Sequence, residues 1–165
     1  MQSDAVFTLR LGKQDFKFSA AHFTLFPDGS AELLHGHDYR VRVALRGARV
    51  NDHGLLADVA GLKRRIRAIC AELDEHTLIP EKSPLLELRA DGEQLDIYLG
   101  ERHYQLPRSD VSLLPLSNIT IELLARLVWE RLAATLAGTS VEWLEIEVEE
   151  TAGQGCAYAA SIPRS

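Results

Sequence analysis

Residues 34–43 of the chain read Leu-His-Gly-His-Asp-Tyr-Arg-Val-Arg-Val. Alternate residues of a β-strand face the same side of its sheet, so His35 and His37 share a face with the apolar positions that follow them. A second alternating run begins at Phe16 and ends at His22. The sequence therefore predicts three imidazoles at the ends of two apolar strand faces.

These three imidazoles could form a metal centre. A single histidine at a strand end is more often a satisfied core residue, and the His-x-His pattern alone is a weak signal. The addition of His22 on a matching face favours the metal interpretation. Three imidazoles suit Zn²⁺ with an open fourth position, so we expect His22, His35 and His37 to bind zinc.

Composition limits the class of protein. The chain has 165 residues, of which 46% are hydrophobic and 25% charged, as expected for a single globular domain spanning 1–165. Its net charge of −6 argues against nucleic-acid binding, which needs a basic face. Two cysteines are too few for a disulfide framework and fit a reducing cytoplasm. We find no signal peptide and no apolar run of membrane-spanning length, so we expect a cytoplasmic protein.

Hydrophobic periodicity predicts the remaining elements. Residues 6–11 and 14–22 alternate and form either a hairpin or one bent long strand, and the His-x-His strand runs to about residue 46. A helix is predicted after Asp58, and a second begins at Asn118 or Thr120 and ends at Gly138. Between them, residues 81–116 contain an extra hairpin, and the last strand covers about 141–150.

Glu150 and the residues after the first helix are further candidates. Glu150 ends the apolar row of the last strand, and a carboxylate there needs a partner. That partner could be a buried arginine, backbone N–H groups, or a ligand with paired donors. Asp74, Glu75 and His76 form an ionisable cluster at the end of the first helix. The pattern by itself fits either a functional site or a solvated helix end.

Five segments together resemble the 6-pyruvoyl-tetrahydropterin synthases and bacterial 6-carboxy-tetrahydropterin synthases. The similar segments are 18–22 (Phe-Ser-Ala-Ala-His), 34–39 (Leu-His-Gly-His-Asp-Tyr), 54–63 before and into the first helix, 118–122 (Asn-Ile-Thr-Ile-Glu) and 149–151 (Glu-Glu-Thr). The resemblance implies an α+β tunnelling fold, with a four-stranded antiparallel sheet and two helices on one face. It also implies a homo-oligomeric β-barrel, usually a hexamer built as a dimer of trimers, with active sites between subunits.

The resemblance also implies a function. Family members bind zinc, which holds the side-chain hydroxyls of 7,8-dihydroneopterin triphosphate. A Lewis acid there acidifies neighbouring C–H and O–H groups, so that a base can redistribute protons and triphosphate can leave. Glu150 matches the glutamate that holds the pterin N–H edge, and the resemblance places Thr120 and Glu122 with it as substrate-binding residues.

Two departures affect the acid and base groups. The synthases carry a cysteine base four residues before the first histidine of His-Gly-His, and Ala31 occupies that position, next to Glu32. The family's Asp-His relay is matched by Asp74, but Glu75 stands at the histidine position and His76 follows. Our catalytic candidates are therefore Glu32, Asp74, Glu75 and His76.

The changed acid and base groups leave three functions open. The first is a synthase in which a carboxylate replaces the thiolate. The second is cleavage of the pterin side chain to 6-hydroxymethyl-dihydropterin, as in family branches that use a glutamate. The third is a pterin- or purine-binding protein without catalysis.

Overall fold

The structure is a computed structural model, and it describes residues 5–163. Within that range lie two α-helices, α1 (Val59–Leu73) and α2 (Ile121–Ala133). The strands, in chain order, are β1 (Phe7–Leu11), β2 (Lys17–His22), β3 (His35–Gly47), β4 (His76–Pro80), β5 (Glu87–Asp91), β6 (Gln94–Leu99), β7 (Arg102–Pro107), β8 (Val111–Leu114), β9 (Trp143–Thr151) and β10 (Gln154–Ser161).

Seven strands form the main sheet, in the spatial order β10-β9-β3-β2-β4-β8, with β1 also paired to β3. β1 and β2 lie end to end along β3, because Leu11 pairs with Val43 and Lys17 pairs with Arg40. The two segments therefore form one interrupted long strand, which decides between the hairpin and the bent strand. Together with β3, β9 and β10 they make the predicted antiparallel sheet, which β4 and β8 extend in parallel.

Both helices pack on the same side of this sheet, which confirms the predicted α+β fold. Asp58 Oδ1 accepts a hydrogen bond from Gly61 N at 3.0 Å and so caps α1. The buried faces of α1 and α2 join the inward-facing strand residues in one core. Its central side chains, each almost fully buried, include Ile66, Leu124, Val128, Tyr39 and Leu144. This core fixes the sheet face on which the histidines lie.

The segment between β4 and α2 is larger than the predicted hairpin. β6 and β7 form that hairpin, and β5 adds a third antiparallel strand to it. The sequence did not predict β5, because most of its five residues are exposed and it carries too few apolar residues to show a clear alternation. This three-stranded sheet has its own apolar cluster. In it Leu95 and Ile97 of β6 pack with Phe23 and Leu25, which lie in the loop after β2. β8 then returns to the main sheet.

The C-terminal part contains one strand more than the periodicity indicated. β9 starts at Trp143, and after a turn at Gly153, whose φ is 86°, the chain returns as β10. β10 contains glycine and several alanines, so its apolar alternation is weak. No helix between residues 5 and 163 is long and apolar enough to cross a membrane.

Candidate metal centre

The three predicted histidines come together at one end of the main sheet. His22 ends β2 and pairs in register with His35, the first residue of β3. The ring centroids of His22 and His35 are 4.8 Å apart, as are those of His35 and His37. One ligand atom from each of the three histidines lies within 4.8 Å of the other two. These three side chains could hold one metal ion.

Backbone carbonyls orient two of the rings. His22 Nδ1 lies 3.2 Å from the carbonyl oxygen of Ile119, and His35 Nδ1 lies 2.7 Å from that of Leu33. A ring that donates through Nδ1–H keeps its lone pair on Nε2, the arrangement common among metal-bound histidines. Each carbonyl therefore leaves an Nε2 free to coordinate.

His22 gives the sharpest test of whether a metal fits. Its side chain is 2% exposed, and its Nε2 has no hydrogen-bond partner of suitable geometry. Burial lowers the pKa of His22, so the imidazole stays neutral, as a metal ligand must be. A buried, neutral nitrogen with an unused lone pair fits Zn²⁺ held by three imidazoles.

Glu150 lies against this cluster. Its Oε1 is 3.2 Å from His22 Nε2 and 3.4 Å from His37 Nε2. The Tyr39 hydroxyl donates to the same oxygen at 3.3 Å, and Gln154 Nε2 donates to Oε2 at 3.1 Å. Burial, together with the neighbouring Glu150 charge, raises the pKa of Tyr39, so its hydroxyl keeps its proton and can donate. The carboxylate is thus held at the histidines by donors from β3 and from β10.

Glu32 lies near the cluster, in the loop between β2 and β3. Thr24 N donates to Glu32 Oε2 at 3.1 Å, and Glu32 N donates to the Thr24 carbonyl at 3.0 Å. Burial raises the pKa of Glu32, but the hydrogen bonds from Thr24 outweigh this effect, so the pKa is lowered overall. Glu32 is therefore a carboxylate at neutral pH, with Oε1 still able to accept a proton.

Asp74, Glu75 and His76 lie at the edge of β2 beside Ser19. Ser19 N donates to Asp74 Oδ1 at 2.7 Å, and Glu75 N donates to the Ser19 carbonyl at 2.7 Å. His76 Nδ1 lies 2.6 Å from the Asp74 carbonyl. In the part of the chain that the structure describes, no hydrogen bond joins these three residues to the histidine cluster. His76 pairs in register with Ala20 of β2, which pairs in turn with His37 of β3, so β2 lies between His76 and this ligand.

The segment before α2 supports the site through its backbone and its asparagine. Thr120 Oγ1 accepts from Leu123 N at 3.4 Å and caps α2, so this hydroxyl already has a partner. Asn118 Oδ1 accepts from Leu25 N at 3.0 Å, and Asn118 Nδ2 donates to the Leu25 carbonyl at 2.8 Å. Glu122 is exposed, and its charge acts on Cys156 of β10.

Sequence reasoning missed four residues of this site. Thr24, Tyr39 and Gln154 hold the two carboxylates, and Arg102 holds the backbone of the loop that carries Glu32. Tyr39 had a signal, because it shares the strand parity of His35 and His37. The other three act through hydrogen bonds of a backbone N–H or of a single polar side chain, which leave no periodic trace in the sequence.

Comparison with known proteins agrees with this fold. Residues 12–161 match the family model described as 6-pyruvoyl tetrahydropterin synthase. A Methanocaldococcus jannaschii protein with the provisional name 6-carboxy-5,6,7,8-tetrahydropterin synthase is 30% identical over 145 residues, covering 86% of this chain and 88% of that protein. A Pyrococcus abyssi protein with the same provisional name is 30% identical over 135 residues, covering 81% and 80%.

Solved structures give the same result. The Plasmodium vivax 6-pyruvoyl tetrahydropterin synthase superposes with a TM-score of 0.90 at 27% identity, covering 96% of this chain and 100% of that one. The Plasmodium falciparum enzyme gives a TM-score of 0.89 at 26% identity, with the same coverage. The chain therefore belongs to the 6-pyruvoyl tetrahydropterin synthase family, which confirms the resemblance found in the sequence.

Proposed function

We propose that this protein is a zinc-dependent lyase that acts on 7,8-dihydroneopterin triphosphate or a closely related pterin. The observation that carries the proposal is the cluster of three histidine ligand atoms within 4.8 Å of one another, flanked by Glu150 and Glu32. His22, His35 and His37 would hold Zn²⁺. When bound, the metal supplies a Lewis acid that polarises oxygens of the pterin side chain.

Glu150 is the proposed anchor of the pterin ring. Its carboxylate can accept two parallel N–H hydrogen bonds, the geometry in which a carboxylate binds a planar donor pair best. Support comes from its position, since it is mostly buried and its Oε1 already accepts from Tyr39. Thr120 and Glu122 remain proposed substrate-binding residues at the start of α2.

Glu32 is the proposed base that replaces the cysteine of the synthases. Its contacts with Thr24 leave it ionised, and its loop leads directly into His35, the first residue of β3. The related Plasmodium vivax synthase has also been solved with a catalytic glutamate changed to alanine or to cysteine, so a glutamate is catalytic in that protein. In this chain Glu32 would accept a proton from the pterin side chain.

The catalytic role proposed for Asp74, Glu75 and His76 depends on assembly of several subunits. Within one chain they form hydrogen bonds to Ser19 and to one another. We propose a homohexamer built as a dimer of trimers, in which these residues would serve a neighbouring subunit's site. β10 supports an assembly, because this eight-residue strand ends the described sheet and leaves an edge to which another strand could pair.

A cytoplasmic location is part of the proposal. It is supported by the cysteines, since Cys70 and Cys156 are both free. Free thiols are typical of proteins in a reducing compartment.

The proposed function is tested by a product assay. Zinc-loaded protein is incubated with 7,8-dihydroneopterin triphosphate, and the products are identified by mass spectrometry. Release of triphosphate with a 6-pyruvoyl or 6-carboxy product would establish synthase chemistry with a carboxylate base. A 6-hydroxymethyl product would establish side-chain cleavage, the alternative reaction of family branches that use a glutamate. Binding without turnover would leave a pterin-binding protein and refute the enzyme.

A further inference from the structure

The three-stranded insertion reaches the loop of the proposed base through one arginine. Arg102, the first residue of β7, donates from Nη1 to the Glu32 carbonyl at 2.8 Å and from Nη2 to the Ala31 carbonyl at 3.2 Å. Its guanidinium thus spans two consecutive backbone carbonyls. The fixed fork of an arginine matches such a pair of acceptors, which a lysine ammonium cannot do with the same geometry.

The loop that Arg102 holds is itself a small hairpin. Leu25 and Ala31 form an isolated antiparallel bridge, and Glu32 N donates to the Thr24 carbonyl. The Glu32 side chain then returns to Thr24 N through Oε2. The position of the Glu32 backbone therefore decides where its carboxylate lies relative to the histidines.

Apolar packing fixes the insertion against the same loop. Phe23 stacks on Tyr104 of β7 with ring centroids 5.8 Å apart and planes 16° apart. Phe23 and Leu25 are buried with Ile97 and Leu99 of β6, and Ala31 packs against this cluster. The insertion is thus packed against the Glu32 loop, and Arg102 extends from it to that loop.

We propose that Arg102 is a positioning residue for the Glu32 carboxylate, and that the 81–116 insertion serves as the support from which it acts. This inference rests on the proposed role of Glu32 as base. The alternative that Arg102 binds a substrate phosphate is weaker, because its guanidinium already donates to two backbone carbonyls. Arg102 acts through the backbone of the loop and does not itself touch the reacting atoms.

The test compares Arg102→Ala with the control Arg89→Ala. Arg89 lies in β5 of the same insertion, is exposed and pairs with Glu87, so its loss removes the same charge without touching the loop. We expect Arg102→Ala to lower kcat by on the order of 10²-fold, the cost typical of a catalytic group displaced by about 1 Å. KM and zinc content should stay near wild type, and Arg89→Ala should change none of the three.

A double-mutant cycle separates positioning from general destabilisation. If Arg102 acts through Glu32, adding Arg102→Ala to Glu32→Gln should lower the rate by less than about threefold, since the two changes share one effect. Additive losses would overturn the proposal. Should Arg102→Ala fail to retain zinc, Arg102→Lys takes its place in the same cycle, because it keeps the charge and loses the fork.

Hydrogen exchange tests the support without any substrate. The Glu32 amide should exchange faster in Arg102→Ala than in wild type or Arg89→Ala, because the loop loses its hold. Unchanged protection of that amide would refute the inference whatever the enzyme does. A wild-type protein inactive on pterins would instead refute the proposed function, while the exchange experiment would still decide whether Arg102 holds the loop.

Discussion

Oε1 of Glu150 lies 3.2 Å from Nε2 of His22. The proposed pterin anchor and a proposed zinc ligand are therefore direct neighbours, although they come from different strands of the sheet. Removing either group changes the surroundings of the other. Experiments on this site must for that reason measure metal content and ligand affinity together, on every variant.

Substitution of His35 tests the metal centre. His35→Ala removes one of three imidazoles, and two remaining ligands cannot close a protein site for zinc of the usual kind. We expect the stoichiometric zinc of the wild type, measured by elemental analysis, to be lost. His53→Ala is the control, since His53 is an exposed histidine in the loop after β3. Equal zinc in His35→Ala and wild type would contradict the ligand assignment.

Substitution of Glu150 tests the pterin anchor. Glu150→Gln keeps the shape and removes the charge. A hydrogen bond to a charged group contributes about 1.5–3 kcal/mol, so pterin affinity should fall by roughly 10- to 150-fold. Zinc content should be retained. Titration calorimetry with a pterin measures the affinity.

The control for this substitution is Glu147→Gln. Glu147 belongs to the same strand but pairs with Arg42 on the other face of the sheet. Its variant should bind the pterin as wild type does. Undiminished affinity in Glu150→Gln would remove Glu150 from the binding site.

Substitution of Glu32 tests the base. Glu32→Gln can still accept the Thr24 N–H hydrogen bond, so the loop should keep its shape, but the amide cannot take up a proton. Turnover should fall by roughly 10²- to 10⁴-fold with zinc retained, as measured by steady-state kinetics. Asp28→Asn is the control in the same loop, where Asp28 binds only Ser30 among the described residues. A wild-type rate in Glu32→Gln would transfer the base role to Glu75 or His76.

Thiol labelling tests how tightly α1 packs against the core, because Cys70 lies on the buried face of this helix. Burial, with a smaller contribution from Asp74 and Asp15, raises the pKa of Cys70 to about 12. The thiol is therefore protonated and shielded at pH 8, and the native Cys156→Ser variant should resist iodoacetamide until denaturant is added. In Cys70→Ser the remaining thiol is Cys156, which is partly exposed on β10. Native Cys70→Ser should therefore be alkylated faster than native Cys156→Ser. Fast native labelling of Cys70 would show that this part of the core is loosely packed.

The same pKa shift fixes the direction of a stability effect. A thiol whose folded pKa is raised stabilises the fold fully below its unfolded pKa, and this contribution is lost as pH rises from about 9 towards 12. Wild-type protein should therefore lose more stability between those pH values than Cys70→Ala does. The comparison is made by denaturant unfolding at several pH values. Equal losses in both proteins would contradict the shift.

The sequence by itself determined the features that depend on local period. Alternation along β2 and β3 placed His22, His35 and His37 on one face, because side chains of a strand point to opposite sides in turn. The Asp58 cap and the apolar stripe of α1 followed in the same way from helical spacing. The position of Glu150 was predicted in the same way, because it follows Leu144, Ile146 and Val148 at every second residue of β9.

Only the tertiary structure decided which distant groups hold these residues. Ile119 orients His22 from 97 positions away, Tyr39 meets Glu150 across 111, and Arg102 reaches Glu32 across 70. Two of these contacts use a backbone carbonyl, which every residue carries, so no pattern of side chains can reveal them. The path of the chain also set Asp74 and Glu75 beside Ser19, just before β4, which pairs with the strand that carries His22. Periodicity fixes which face a side chain takes, whereas long-range packing fixes what it meets there.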